Sequence, residues 1–306
     1  MKSYSINFIK SLLRFFFKSS NVFRIQNELN LKLNKIRFTK KYNTEEFLSF
    51  LSNLNINSGD TVFMQSRWNE FYNYEGRPND IVNAVIELIG PNGNLIMPAG
   101  SFFDHKNPNF NQLKTPTNTG IICEIFRRTK NVTRSIHYNS SVCAIGKDAE
   151  FITNEHHKSY TSWDKYSPYY KLYKLNAKNL TIGLGRYYSY ITATHCIDSI
   201  LLDELPYFKK IFTSEFEYNW IDDKTRSGTS KVLHRGLGNI DLKRYSKFVQ
   251  DVPHINQKIS NLDGFSVHLQ PFIDKGLELG RSGKFLYTTP VPASEDLKPY
   301  LKASLD

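Results

Sequence analysis

From residue 44 onward, short apolar runs alternate with segments that carry a helical apolar stripe, and this alternation restricts the fold more than any other feature of the chain. Thr44-Glu45-Glu46 opens a helix through Leu54, with Asn43 or Thr44 as its cap. Ser58-Gly59-Asp60 reads as a turn into the strand Thr61 to Met64. Pro78-Asn79-Asp80 starts a second helix, whose Ile81, Val82, Val85, Ile86 and Ile89 form one stripe before Gly90 and Pro91 stop it. Strands follow over Asn94 to Met97, near Val142 to Ile145, and over Asn179 to Leu184, the last ended by Gly185. Helices are expected from about Gly120 to Thr129 and from about Thr192 to Leu202, with Thr192 as a cap. Short buried strands separated by helices predict a layered α/β fold, a mixed sheet flanked by helices. Beyond Asp203 the pattern weakens; Val267, Leu269, Phe272, Ile273 and Leu277 suggest a late strand and helix.

Charge separates the ends of the chain from its body. The formal charge is +11, but residues 1–43 hold ten Lys/Arg and one acid, Glu28. The remainder carries 30 basic and 28 acidic side chains, so the body is close to neutral, which weighs against a nucleic-acid-binding body. The expected organisation is a basic amphipathic N-terminal extension (1–43), a single domain (44–290) and a C-terminal tail (291–306). Within the extension, Ile6, Ile9, Leu13 and Phe16 recur at helical spacing, with Lys10, Arg14 and Lys18 on another face. Two readings stand for residues 1–20: peripheral contact with an anionic membrane surface, and packing on the body or a partner. No apolar run reaches the length of a membrane span. Cys123, Cys143 and Cys196 make an odd count without a C-x-x-C spacing, which fits a reducing, cytoplasmic setting and neither a disulfide framework nor a structural zinc site.

The densest polar cluster follows the best strand: Gly183-Leu-Gly185-Arg-Tyr-Tyr-Ser-Tyr-Ile-Thr192-Ala-Thr194-His195-Cys-Ile-Asp198. Sites in layered α/β folds form where strands end and helices begin. His195 and Asp198 stand three apart, so on a helix they share a face, and a carboxylate beside an imidazole orients it as a proton acceptor. Taken alone, such a pair is more often an exposed ion pair. Upstream, Arg134-Ser135-Ile-His137 through Ser141 sets a cation, an imidazole and hydroxyls before an apolar strand, which suits an anionic ligand and equally an ordinary polar loop. The neighbours His156 and His157 read as surface residues rather than metal ligands. Cys196 points about 100° away from His195 on one helix and is no nucleophile for this site.

In order along the chain, several segments resemble the aminoglycoside 3-N-acetyltransferase family. Gly59 through Gln65-Ser66 is similar to its opening strand, which usually ends His-Ser or His-Ala-Ser. Gly90-Pro-Asn-Gly-Asn-Leu-Ile-Met-Pro98 resembles G-P-x-G-x-L-x-M-P, and Gly120 to Arg127 its G-x-x-x-E-x-F-R helix. Arg134 to Ser141 resembles R-S-x-H-P-x-x-S; Ser167-Pro168 with Leu172, and then Leu180 to Gly183, follow further pieces. Thr192 to Asp198 sits where the family has T-S-x-H-x-x-E. Gln65, Tyr138, Ala193 and Asp198 depart from the usual His, Pro, Ser and Glu.

The resemblance implies a coenzyme A-dependent acyltransferase that passes an acetyl or short acyl group directly to an amine in a ternary complex, with no metal. It implies His195 as general base, Asp198 as its orienting acid, and Thr192 or a nearby backbone N–H as donor to the oxyanion. Ser66, Arg134, Ser135, His137 and Ser141 become candidates for gripping acetyl-CoA. The aromatics Trp163, Tyr166, Tyr169, Tyr187, Tyr188 and Tyr190 suit stacking on a sugar or a nucleobase, or core packing. With the basic arm, this favours an amino sugar carried on a nucleotide or lipid phosphate in surface-polysaccharide synthesis. Aminoglycoside resistance and a catalytically silent, membrane-associated scaffold are the alternatives.

Overall fold

The structure is a computed structural model that describes residues 31–102, 104, 106–185, 189–293 and 295–296. The expected amphipathic helix within residues 1–20, Tyr187 and Tyr188, and most of the C-terminal tail lie outside the described residues. A helix over 31–37 leads to α1 (Thr44–Asn53), β1 (Thr61–Ser66), α2 (Pro78–Ile89) and β2 (Asn94–Pro98). Next come β3 (Asn109–Asn111), α3 (Ile121–Arg128), β4 (Thr133–Arg134), β5 (Val142–Gly146), α4 (Ala149–Thr153) and α5 (Pro168–Lys174). β6 (Lys178–Ile182), α6 (His195–Glu204) and α7 (Pro206–Lys209) precede the long pair β7 (Phe212–Ile221) and β8 (Ser227–Arg235). The chain then runs through β9 (Asn239–Ile240), α8 (Leu242–Gln250), β10 (His254–Ile259), β11 (Leu262–His268), α9 (Leu269–Arg281) and β12 (Tyr287–Thr289).

Seven strands form one mixed sheet in the order β10-β11-β6-β1-β2-β5-β4. β1 is parallel to both β2 and β6, while the outer pairings are antiparallel. Alternation along a strand sends successive side chains to opposite faces. Val62, Met64, Leu95, Met97, Leu180 and Ile182 therefore join the core beneath α1, α2 and α3, whereas Phe63, Ile96, Phe265 and Val267 join the core that includes residues of α5, α6 and α9. The layered α/β reading, with a mixed sheet between helices, is the architecture observed.

Local chemistry sets the element ends. Asn43 caps α1 in a full capping box with Glu46, and the Asp80 carboxylate accepts the Arg77 N–H at 2.7 Å before α2. On α2, Ile81, Val82, Val85 and Ile89 are buried, and each such side chain contributes about 1.5–3 kcal/mol. β6 stops at Ile182 rather than running to Leu184, because Gly183 takes a φ of +65° and turns the chain. A second sheet, β3-β7-β8, is built on a long antiparallel hairpin that the alternation of apolar residues did not reveal. None of the described helices is long and apolar enough to cross a membrane.

Candidate active site

The carboxyl ends of the parallel strands β1 and β6 lie side by side, with Gln65 opposite Thr181 and Ser66 opposite Ile182. Across this edge runs a 3₁₀ turn, Thr192–Thr194, which feeds into α6 at His195. Thr192 makes no side-chain cap, contrary to expectation. Its side chain is engaged by β1 instead: Gln65 Nε2 donates to Thr192 Oγ1 at 2.9 Å, and the Thr192 N–H donates to Gln65 Oε1 at 3.3 Å. This two-point clamp fastens the turn to the strand end. Since the threonine oxygen accepts from Gln65, its own O–H has no acceptor among the described residues and can donate elsewhere.

One turn into α6, Asp198 Oδ2 lies 3.1 Å from His195 Nδ1, and both side chains are buried. Distant parts of the chain close in around them. Tyr190 OH is 2.9 Å from His195 Nε2, and Arg235 Nη1, from the end of β8, is 3.3 Å from the same atom. Arg235 Nε also lies 3.2 Å from Asp198 Oδ2, as an ionic contact outside hydrogen-bond alignment. Tyr287 of β12 donates its hydroxyl to that same carboxylate oxygen. Trp163 meets the imidazole edge-on at 4.9 Å between ring centroids.

These partners determine the tautomer. A carboxylate only accepts and a guanidinium only donates, so the Nδ1–H tautomer, with its lone pair on Nε2, satisfies both neighbours. Burial and then the Arg235 charge lower the His195 pKa below the usual histidine value, opposed by Asp198. Arg235 itself is raised: burial pulls it down, and Asp198 and the surrounding tyrosines more than offset that. Burial pushes Tyr190 up to about 12, so its hydroxyl stays neutral and can donate to or accept from Nε2. The cluster is thus an uncharged imidazole whose Nδ1 rests on a carboxylate, an arrangement suited to accepting one proton.

The other residues singled out in the sequence fall in two places. Ser66 stands at the end of β1 beside Gln65, and its buried hydroxyl has no hydrogen-bond partner among the described residues. Arg134, Ser135, His137 and Ser141 are buried around the β4–β5 turn. All five N–H positions of the Arg134 guanidinium face protein oxygens: Ser141 Oγ, Gln112 O, Thr115 O, Ala99 O and Ser101 Oγ. A guanidinium so engaged has no donor left for a phosphate, which corrects the anion-binding reading of Arg134. Ser135 accepts from Val142 N–H and contacts His156 Nδ1 at 2.9 Å, while His137 Nδ1 accepts from Ser140 N–H at 3.2 Å. His156, expected at the surface, is fully buried.

Arg235 and Tyr287 were absent from the sequence reading, and Gln65 entered it only as a departure from the family pattern. No local spacing flags them, because Arg235 lies 40 residues from His195 and Tyr287 lies 89 from Asp198. Of the aromatic candidates, Trp163 and Tyr190 touch His195, whereas Tyr169 packs in the core against Phe63.

Known proteins resemble the chain in both sequence and fold. The family profile described as "Aminoglycoside 3-N-acetyltransferase" matches residues 63–267. Aminoglycoside N(3)-acetyltransferase IV of Salmonella sp is 27% identical over 142 residues, covering 46% of this chain and 53% of that protein. The SPbeta prophage-derived aminoglycoside N(3')-acetyltransferase-like protein YokD of Bacillus subtilis (strain 168) is 29% identical over 167 residues, covering 47% of this chain and 60% of YokD. The chain thus spans between half and two thirds of the length of these curated relatives. Among solved structures, AAC-IIIb in binary complex with CoASH superposes with a TM-score of 0.68 at 17% identity, over 83% of this chain and 100% of that one. AAC-VIa bound to sisomicin gives 0.65 at 18% identity, over 80% and 99%. At these identities the structural likeness is one of fold.

Proposed function

The chain belongs to the aminoglycoside 3-N-acetyltransferase family, and from that membership we propose that it transfers an acetyl group from acetyl-CoA to an amine of an amino sugar. The observation that carries this reading is the His195 imidazole, held by Asp198 at Nδ1 with its Nε2 lone pair presented away from the carboxylate. A neutral amine attacks the thioester carbonyl, forming the C–N bond. His195 Nε2 takes the proton that the amine nitrogen must lose. The C–S bond then breaks, and the proton passes from the imidazolium to the departing thiolate, which leaves as free coenzyme A thiol. Asp198 stabilises the imidazolium during its lifetime, as the acid of a catalytic triad does. Thr192, held by Gln65 with its O–H free, donates to the oxyanion.

For the acetyl-CoA grip we assign Ser66, whose hydroxyl has no partner among the described residues at the same strand edge. Ser135, His137 and Ser141 act from the second, buried cluster by shaping the β4–β5 turn rather than by touching the nucleotide. As acceptor we favour an aminoglycoside, the compound class in the names of the relatives and represented by sisomicin and gentamicin in two related structures. The alternative acceptor, an amino sugar on a nucleotide or lipid phosphate, draws no support from the comparisons. Incubating the purified chain with acetyl-CoA and gentamicin, followed by mass spectrometry of the antibiotic, tests this reading. A mass gain of one acetyl group is expected. An unmodified antibiotic alongside an acetylated amino-sugar nucleotide would reverse the choice of acceptor.

A further inference from the structure

Arg235 reaches both ends of the hydrogen-bonding axis of His195. Its Nη1 is 3.3 Å from Nε2, and its Nε is 3.2 Å from the Asp198 oxygen that holds Nδ1. The guanidinium lies over the Tyr287 ring, 5.4 Å from its centroid, while the Tyr287 hydroxyl donates to the same Asp198 oxygen. One carboxylate oxygen therefore serves an imidazole, a guanidinium and a phenol. That carboxylate stands where the resemblance places a glutamate, and its shorter arm is held by hydrogen bonds from His195 and Tyr287 and by the charge of Arg235.

We propose that Arg235 is a positioning residue for the transfer reaction: it locks His195 in the Nδ1–H tautomer and keeps the imidazole uncharged until the acceptor amine arrives. The argument is one of donors and charge. A guanidinium has no acceptor, so an N–H at His195 Nε2 would face another N–H across 3.3 Å. The alternative tautomer and the imidazolium both create that conflict, and the imidazolium adds like-charge repulsion. Against the guanidinium, the tautomer with its lone pair on Nε2 is the one that fits.

Among the described residues, the other groups facing His195 do not offer a competing cation. Asp198 on its own helix is the only carboxylate in contact. Tyr190 from the preceding loop is neutral, with Tyr245 of α8 packed behind it at 5.4 Å between ring centroids. Tyr287 acts through Asp198. Trp163 is uncharged, and its neighbour Asp164 is engaged by Ser159 and by the backbone of Tyr160 and Tyr166. The lowered proton affinity of His195 has burial as its first cause and Arg235 as its second.

The kinetic part of this inference rests on the proposed transfer reaction; the imidazole part does not. The test is ¹⁵N NMR of the histidine side chains in wild type, Arg235→Gln and Arg235→Lys, with the His195 signal assigned by its loss in His195→Gln. Wild type should hold the Nδ1–H tautomer across neutral pH. Arg235→Gln should admit a minor Nε2–H population beside the Nδ1–H form that Asp198 still favours, and raise the His195 titration midpoint by about one pH unit. In turnover, the acid limb of kcat/KM should move by the same amount and kcat should fall about tenfold, with KM for acetyl-CoA changed less than about twofold. Arg235→Lys, which keeps the charge without the fork, should restore the acid limb but not kcat. An Nε2–H tautomer in wild type overturns the proposal even if Arg235→Gln fails to fold, as does a His195 midpoint unchanged in that variant. A wild-type chain that acetylates no amine, yet shows the tautomer and the midpoint shift, overturns the reaction while leaving the Arg235–His195 coupling standing.

Discussion

Two buried histidine sites, linked by one short segment of chain, differ in what their nitrogens meet. His137 and His156 stack at 4.4 Å between ring centroids, with no exposed surface. Their nitrogens face the Ser135 and Ser162 hydroxyls, the Ser162 carbonyl and the Ser140 N–H. His195 is almost as buried but faces a carboxylate at Nδ1, with a guanidinium and a phenol at Nε2. The segment Thr161–Trp163 joins the two: Ser162 touches both stacked rings, and Trp163 touches His195. Burial lowers all three pKa values, so low proton affinity alone does not identify a base. The distinguishing feature is a carboxylate to stabilise the imidazolium halfway through proton transfer. Among the described residues no carboxylate bonds to the serine-bound pair, and its order reads as structural.

The sharpest way to break this contrast is to remove a partner from each site. Asp198→Asn should lower kcat about 100- to 1,000-fold, because the amide no longer enforces the Nδ1–H tautomer or stabilises the charged ring. Ser135→Ala removes the neutral partner of His156, and kcat per folded molecule should stay within about twofold while stability falls by about 1–3 kcal/mol, read by denaturant unfolding. Equal activity losses in the two variants would erase the distinction between the sites.

Arg134 extends the structural side. Arg134→Met strands the carbonyls of Ala99, Gln112 and Thr115 in a buried turn, and about 3 kcal/mol of stability should be lost in urea titration. The coenzyme A affinity of the folded fraction should change little. A large drop in that affinity, with stability intact, would restore Arg134 as a phosphate ligand.

The smallest effect is a pH dependence. In the unfolded chain a histidine binds its proton below about pH 6.5, whereas His137 in the fold waits until about 3. Between those values the unfolded state holds the extra proton, so stability is full above 6.5 and declines as pH falls toward 3. His156 acts in the same direction. His137→Asn should reduce the slope of unfolding free energy against pH by about one proton over roughly pH 4 to 6. An unchanged slope would mean that His137 is charged in the fold.

Much of the sheet was legible because it obeys simple periodicities. The α2 stripe and the apolar runs of β1, β2 and β5 marked their elements to within a residue or two. The pair His195 and Asp198 was legible because one helical turn brings them together. The hairpin β7–β8 was not, since most of its side chains are exposed or half-buried and no clean alternation of apolar residues survives. Arg235 arrives at the end of that hairpin, and Tyr287 on a strand of three residues, so their meeting with Asp198 is purely tertiary. The burial of His156 was hidden for a similar reason: its polar neighbours in sequence gave no sign of the Ser135 and Ser162 partners that satisfy its ring.

The most direct test of the central claim is thiol release from acetyl-CoA in the presence of gentamicin, measured for wild type and for His195→Ala. The expected result is acceptor-dependent release by wild type and a fall of about 100- to 10,000-fold in the variant, with its unfolding transition still cooperative. Release by His195→Ala at the wild-type rate would contradict the account, because the proton would then have another acceptor.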